Sequence, residues 1–177
     1  GSSGTPNLTI NTTGAVSVGA VGSTIGTVTV TQSGGTTFNS TVSAATITLS
    51  NSTAAANITF SGNVTATTGL SAAAGTAAYN VVFNGSSNTI AGATTFSNSG
   101  TVTFGNGGDT IAFTGGVTAT APSSKIINGT ITAAGSGVIN LGTSAVTISG
   151  DSTVGGTSTG AITLGAATLA DNVTLTV

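Results

Sequence analysis

The sequence predicts an all-β protein and, within that class, a parallel β-helix whose coils run to about twenty residues. Three observations carry the prediction. Thr, Val and Ile dominate, while the helix formers Glu, Arg and Met do not occur at all. Short apolar–polar alternations recur along the whole chain, separated by clusters of Gly, Asn and Ser. Several alternations lie about twenty residues apart and others at roughly half that, a period in the range of stacked repeats.

Taken in order, the strands announce themselves as apolar–Thr–apolar triplets: Leu8-Thr9-Ile10, Val28-Thr29-Val30, Ile47-Thr48-Leu49, Ile58-Thr59-Phe60 and Val102-Thr103-Phe104. Val146-Thr147-Ile148, Ile162-Thr163-Leu164 and Val173-Thr174-Leu175 continue the series. Looser versions lie at Val16–Val18, Val81–Phe83, Ile111–Phe113 and Ile139–Leu141. The stretch Thr94–Phe113 is the densest, with three alternations closing on Phe96, Phe104 and Phe113. Leu8 to Val28, Val28 to Ile47, Val81 to Val102 and Ile111 to Ile131 are each about one coil apart.

A coil of this kind cannot bury its apolar face alone, so its neighbours complete one continuous core. Inward positions take Val, Ile, Leu and Phe, and outward positions take Thr, Ser and Asn. Gly and Asn serve the corners, where left-handed backbone is needed. The length gives about nine coils, a stack near ~40 Å tall at ~4.8 Å per rung, with unpaired strand edges at both ends. Pro6 falls near one end, where a missing donor is tolerated, and Ala119–Ser124, with Pro122, reads as a loop. The competing fold is an antiparallel β-sandwich, because regularly spaced short strands fit that too.

Residues 1–4 (Gly-Ser-Ser-Gly) read as a cloning scar or flexible lead-in, and residues 5–177 as one solenoid segment. Val173–Val177 stops in mid-strand, which suggests a piece of a longer repeat protein. The chain contains neither an apolar run near the ~20 residues that span a bilayer nor an opening signal peptide.

The phrases Gly160–Leu169 (GAITLGAATL), Asp171–Val177 (DNVTLTV), Ile58–Thr65 (ITFSGNVT) and Thr94–Phe104 resemble the β-strand repeats of large bacterial surface proteins, the filamentous-haemagglutinin-like and autotransporter-like adhesins. The resemblance covers essentially the whole chain and is one of texture and short phrases. It implies a right-handed parallel β-helical shaft, exported and displayed on the bacterial cell surface. The secretion domain and receptor-binding insertions of such proteins are not found in this stretch.

Composition excludes more than any motif suggests. Of 177 residues only 2% are charged, against about 25% in an ordinary domain, and Cys and His are absent. Lys125 is the one cation, so nucleic acid and basic membrane helices are not expected partners. The groups available for acid–base work are Asp109, Asp151, Asp171, Lys125 and Tyr79, and no His or Cys is present to activate a serine. Asp109 and Asp151 sit about two coils apart, ~10 Å, with nothing else lining a site, so no enzyme, catalytic residue or cofactor is expected. Gly105–Ile111 (GNGGDTI) partly matches a Ca²⁺-binding glycine-rich repeat but is a single copy, and calcium wants several carboxylates. A plain Asp–Gly turn is the expected reading, and no metal site is assigned.

Asn-x-Ser/Thr occurs at Asn7, Asn39, Asn57, Asn63, Asn84, Asn128 and Asn172 among others. A composition so rich in Ser and Thr generates many such sequons unaided. Thr-x-Thr runs, as in Thr27–Thr31, Thr101–Thr103, Thr130–Thr132 and Thr174–Thr176, would match ice or a crystalline polysaccharide if aligned on one flat face. The expected function is a non-catalytic structural or adhesive shaft of an extracellular surface protein. Its expected partners are other copies or neighbouring repeats at the strand edges, and surface or matrix glycans. The alternatives are a filament subunit joined through its end strands and a Thr-ladder surface for ice or glycan. With so few titratable groups, stability should be nearly flat between about pH 4 and 9.

Overall fold

The computed structural model describes residues 5–177, so the lead-in expected over residues 1–4 lies outside the described residues. Every regular element is a strand and every strand pairing is parallel. The chain is a β-solenoid of about 8 turns, each about 22 residues.

The strands are β1 (Leu8–Asn11), β2 (Val16–Val18), β3 (Val21–Gln32), β4 (Thr36–Phe38), β5 (Val42–Leu49), β6 (Asn57–Phe60) and β7 (Val64–Ala72). They continue as β8 (Asn80–Phe83), β9 (Ser87–Ile90), β10 (Thr94–Phe96), β11 (Thr101–Phe113), β12 (Val117–Thr118) and β13 (Ser124–Ala133). The last are β14 (Ile139–Asn140), β15 (Val146–Ile148), β16 (Ser152–Gly156), β17 (Ile162–Thr163), β18 (Ala167–Leu169) and β19 (Leu175–Thr176). Long strands such as β5 and β11 turn a corner and serve two faces.

Each coil contributes to three parallel faces. Face 1 stacks β2, β4, β6, β8, the first half of β11, the first half of β13, β15 and β18. Face 2 carries β9, the second half of β11, the second half of β13, β16 and β19 above the opening segments of β3, β5 and β7. Face 3 runs from β1 through the later segments of β3, β5 and β7 to β10, β12, β14 and β17. The intervals read from the sequence are literal registers: Leu8 with Val28, Val28 with Ile47, Val81 with Val102 and Ile111 with Ile131. The two alternations 102–104 and 111–113, the hairpin a sandwich would need, belong to one strand that turns between faces 1 and 2.

Aromatic stacking organises the middle of face 1. Phe38, Phe60, Phe83 and Phe104 occupy successive rungs of one inward column. The Phe38 and Phe60 ring centroids lie 5.0 Å apart at 6°, and those of Phe60 and Phe83 5.2 Å apart at 15°. Phe96 and Phe113 enter from the other faces and meet Phe104 edge-on, at 5.7 and 5.9 Å. Parallel register forces identical side chains into stacking distance, and each such pair contributes about 0.5–1.5 kcal/mol beyond its area. The volume is balanced by Ala44, Ala66 and Ala72, all buried, at inward positions of the neighbouring faces.

Four details depart from the sequence reading. There are eight rungs on each face rather than about nine, because corners absorb extra residues. One corner insertion is Gly105–Gly108, four residues set against Asn128 alone, with positive φ at Gly105, Gly107 and Gly108. Val173 and Thr174 belong to a turn behind Asn172 (φ 60°), so the last strand begins at Leu175. Polar residues also face inward: Thr36 and Thr94 stand in apolar columns, and Asn88 interrupts the column of Val64 and Ile111. The loop expected at Ala119–Ser124 is present through Ser123, and Ser124 opens β13.

Candidate functional site

The solenoid converts sequence position into surface position, so each candidate group can be placed by rung and corner. All three acidic residues fall at the corner between faces 1 and 2, on different rungs. Asp109 is only 5% exposed, and its Oδ2 accepts the Asn106 N–H at 2.6 Å, closing the Gly105–Gly108 insertion. Asp151 Oδ1 accepts the Thr174 N–H at 2.8 Å and ties one coil to the next. Asp171 is exposed in the final turn. Asp109 and Asp151 are two rungs apart, about 10 Å, which is the separation counted from the sequence. Their recorded partners are backbone amides at turns, the Asp–Gly turn role, and GNGGDTI forms a bulged corner.

Tyr79 is buried, and its hydroxyl donates to the carbonyls of Leu49 at 3.1 Å and Ala73 at 2.6 Å. Burial pushes its pKa well above the ordinary tyrosine value. It pins two coils together from inside.

Lys125 is the least expected of the set. It lies in the inward column of face 1, between Val102 and Val146, and is 0% exposed. Its Nζ donates to the Pro122 carbonyl at 3.2 Å and contacts Ser144 Oγ, and Ser144 Oγ donates to the same carbonyl at 3.0 Å. Burial lowers its pKa below the ordinary lysine value, because a charged amine loses hydration there. The sequence reading counted this residue as the one cation and among the groups available for acid–base work, but not as an inward residue. The available signal was its place within Val102–Lys125–Val146, where an apolar residue belongs.

The threonines sort differently from the expectation. Thr27–Thr31 lies on face 3, Thr101–Thr103 on face 1, and Thr130–Thr132 on face 2, so these runs share no flat surface. A continuous polar column does exist on face 3: Thr9, Thr29, Thr48, Ser71, Thr95, Thr118, Asn140 and Thr163 fill eight consecutive rungs. The rank beside it starts as Thr27 and Thr46 and then gives way to Gly69, Ala93, Gly116, Val138 and Ala161. On that side the column has no hydroxyl neighbour from the fourth rung on, while on its other side Thr31, Ser50, Ser97 and Thr120 form a broken second rank.

Several sequon asparagines hold coils together. Asn7 Oδ1 accepts the Thr27 N–H, Asn39 donates to Ser17 Oγ at 2.7 Å, and Asn57 accepts from Asn80 at 2.9 Å. Asn63 Oδ1 accepts the Ser87 N–H at 3.1 Å. Asn172 is exposed in its turn, and Asn84 and Asn128 are half-buried.

No pocket opens on the described surface, and no three His, Cys, Asp or Glu residues gather there among the described residues. No helix of the described residues is long and apolar enough to cross a membrane. No family model, curated protein or solved structure matches the chain.

Proposed function

We propose that the chain is a stiff, non-catalytic shaft segment of a secreted bacterial surface protein, displayed outside the cell. The reading is supported chiefly by the continuity of the parallel ladders, which pass through every coil on all three faces. Repeats that touch only their neighbours form a quasi-one-dimensional rod, and length is then added coil by coil. Side-chain hydrogen bonds between rungs, such as those of Asn39 and Asn80, stiffen the corners without adding net charge. The polar column on face 3 suits outward positions on extended backbone better than a lattice match, which needs an unbroken second rank, and the ranks on either side of it are interrupted. The partners of such a shaft are neighbouring repeats or other copies at the strand edges, and surface or matrix glycans.

The test is accessibility on living cells. Antibodies raised against the purified protein should label intact cells of the bacterium that makes it. Protease shaving of those cells should release fragments bearing this segment. Labelling that appears only after lysis would overturn the surface reading.

A further inference from the structure

The corner that holds Lys125 also holds a serine in the setting that serine nucleophiles require. An alcohol attacks well only beside a base, and in a chain without His the base can be a lysine kept neutral in a dry site. Lysine replaces histidine in this way in known serine–lysine variants of the triad. Lys125 Nζ donates to Ser144 Oγ, and the Ser144 hydroxyl proton is directed to the Pro122 carbonyl at 3.0 Å. Activation is rotation of that proton from the carbonyl onto the lone pair of the neutral amine.

The surroundings favour the neutral amine. Val102 and Val146 sandwich the lysine stem, and the groups facing the amine from corner 119–123 and corner 142–145 are a carbonyl and a hydroxyl. No carboxylate faces it, since Asp109, Asp151 and Asp171 all lie at the corner between faces 1 and 2. The lowered amine pKa agrees with that placement. Ser144 is half-buried between exposed Thr143 and Ala145, whereas Lys125 is fully buried.

The geometry points to Ser144 as a nucleophilic serine activated by Lys125, an attachment point for acyl groups delivered by activated esters. In the step, Ser144 Oγ bonds to the acyl carbon while its proton passes to Lys125 Nζ. The bond from that carbon to the leaving alcohol breaks, and the departing oxygen recovers the proton from Nζ. The products are an acyl ester on Ser144 and a free alcohol, with no change in oxidation state. This site neither rests on the shaft reading nor conflicts with it, because one stable acylation is not turnover.

The experiment treats the purified protein with p-nitrophenyl acetate and follows it by intact mass and peptide mapping. One acetyl group on Ser144 is expected, with a rate that rises with pH to a midpoint below that of free lysine. Ser144→Ala should abolish that adduct, and Lys125→Met should slow it about a hundredfold. Acetylation spread over many serines, acetylation of Lys125 itself, or a Lys125→Met protein as fast as wild type would overturn the proposal. Circular dichroism establishes that the variant is folded. Should Lys125→Met not fold, an unmodified Ser144 in wild type, or a rate indifferent to pH, overturns it equally.

Discussion

The middle of face 1 and the last coil are written in the same alphabet and differ in what covers them. Phe60 has Phe38 on one side and Phe83 on the other and is fully buried. Leu169 occupies the same inward column of face 1, five rungs on by register, and is 42% exposed; Val177 is 68% exposed. Among the described residues β17, β18 and β19 each pair with one strand, whereas β6 pairs with two. An inward residue therefore contributes according to the number of rungs that enclose it, as expected where each repeat touches only its neighbours.

The comparison breaks most visibly at Phe60. Phe60→Ala removes two stacked contacts and leaves a cavity between parallel rungs that cannot close without breaking register. A loss of about 3–5 kcal/mol is expected, read as a lower urea midpoint. A loss below about 1 kcal/mol would mean that the coils relax independently and that the column is not a shared core.

Lys125 sharpens the comparison from within, because it is a polar residue in a fully enclosed rung. Its amine pKa is lowered in the folded state, so the unfolded chain holds more protons between the folded value and about 10.4. Stability should rise with pH through that window and level off above it. Lys125→Met should remove the slope and, below the window, stabilise the protein by on the order of 1–2 kcal/mol, because Ser144 still satisfies the Pro122 carbonyl. Parallel urea titrations across the alkaline range check this, and equal slopes in the two proteins would refute it. The nearly flat profile expected from composition thus acquires one bend, from a single residue.

The fold was legible because parallel stacking repeats its constraints. Val81 and Val102 must both be apolar for the same reason, and the interval between them is the coil. The corners were not legible in the same way. Gly105–Gly108 looks in sequence like any turn, and only pairing reveals that four residues face one. Inward polar residues were hidden because their partners lie on other coils or in distant backbone. Asn88 accepts the Val64 N–H at 3.0 Å and donates to the Gly85 carbonyl at 2.6 Å, a network that spans coils. The same holds for Lys125 and Ser144, nineteen residues apart in the chain and in contact across a corner. Hydrophobic periodicity records which face a residue takes; it does not record which polar atoms meet.

The smallest effect belongs to the last coil. Leu169→Ala removes a side chain already half in water, with one neighbouring rung to lose, so its cost should stay below about 1 kcal/mol. Hydrogen exchange separates the two regions without any mutation. Amides of β6 and β8 should open only with global unfolding, while those of β18 and β19 exchange through local fraying. If β18 amides proved as slow as those of β6, the terminal rung would be covered in solution by something that supplies a second neighbour. Leu169→Ala would then cost what a buried leucine costs, about 2–5 kcal/mol.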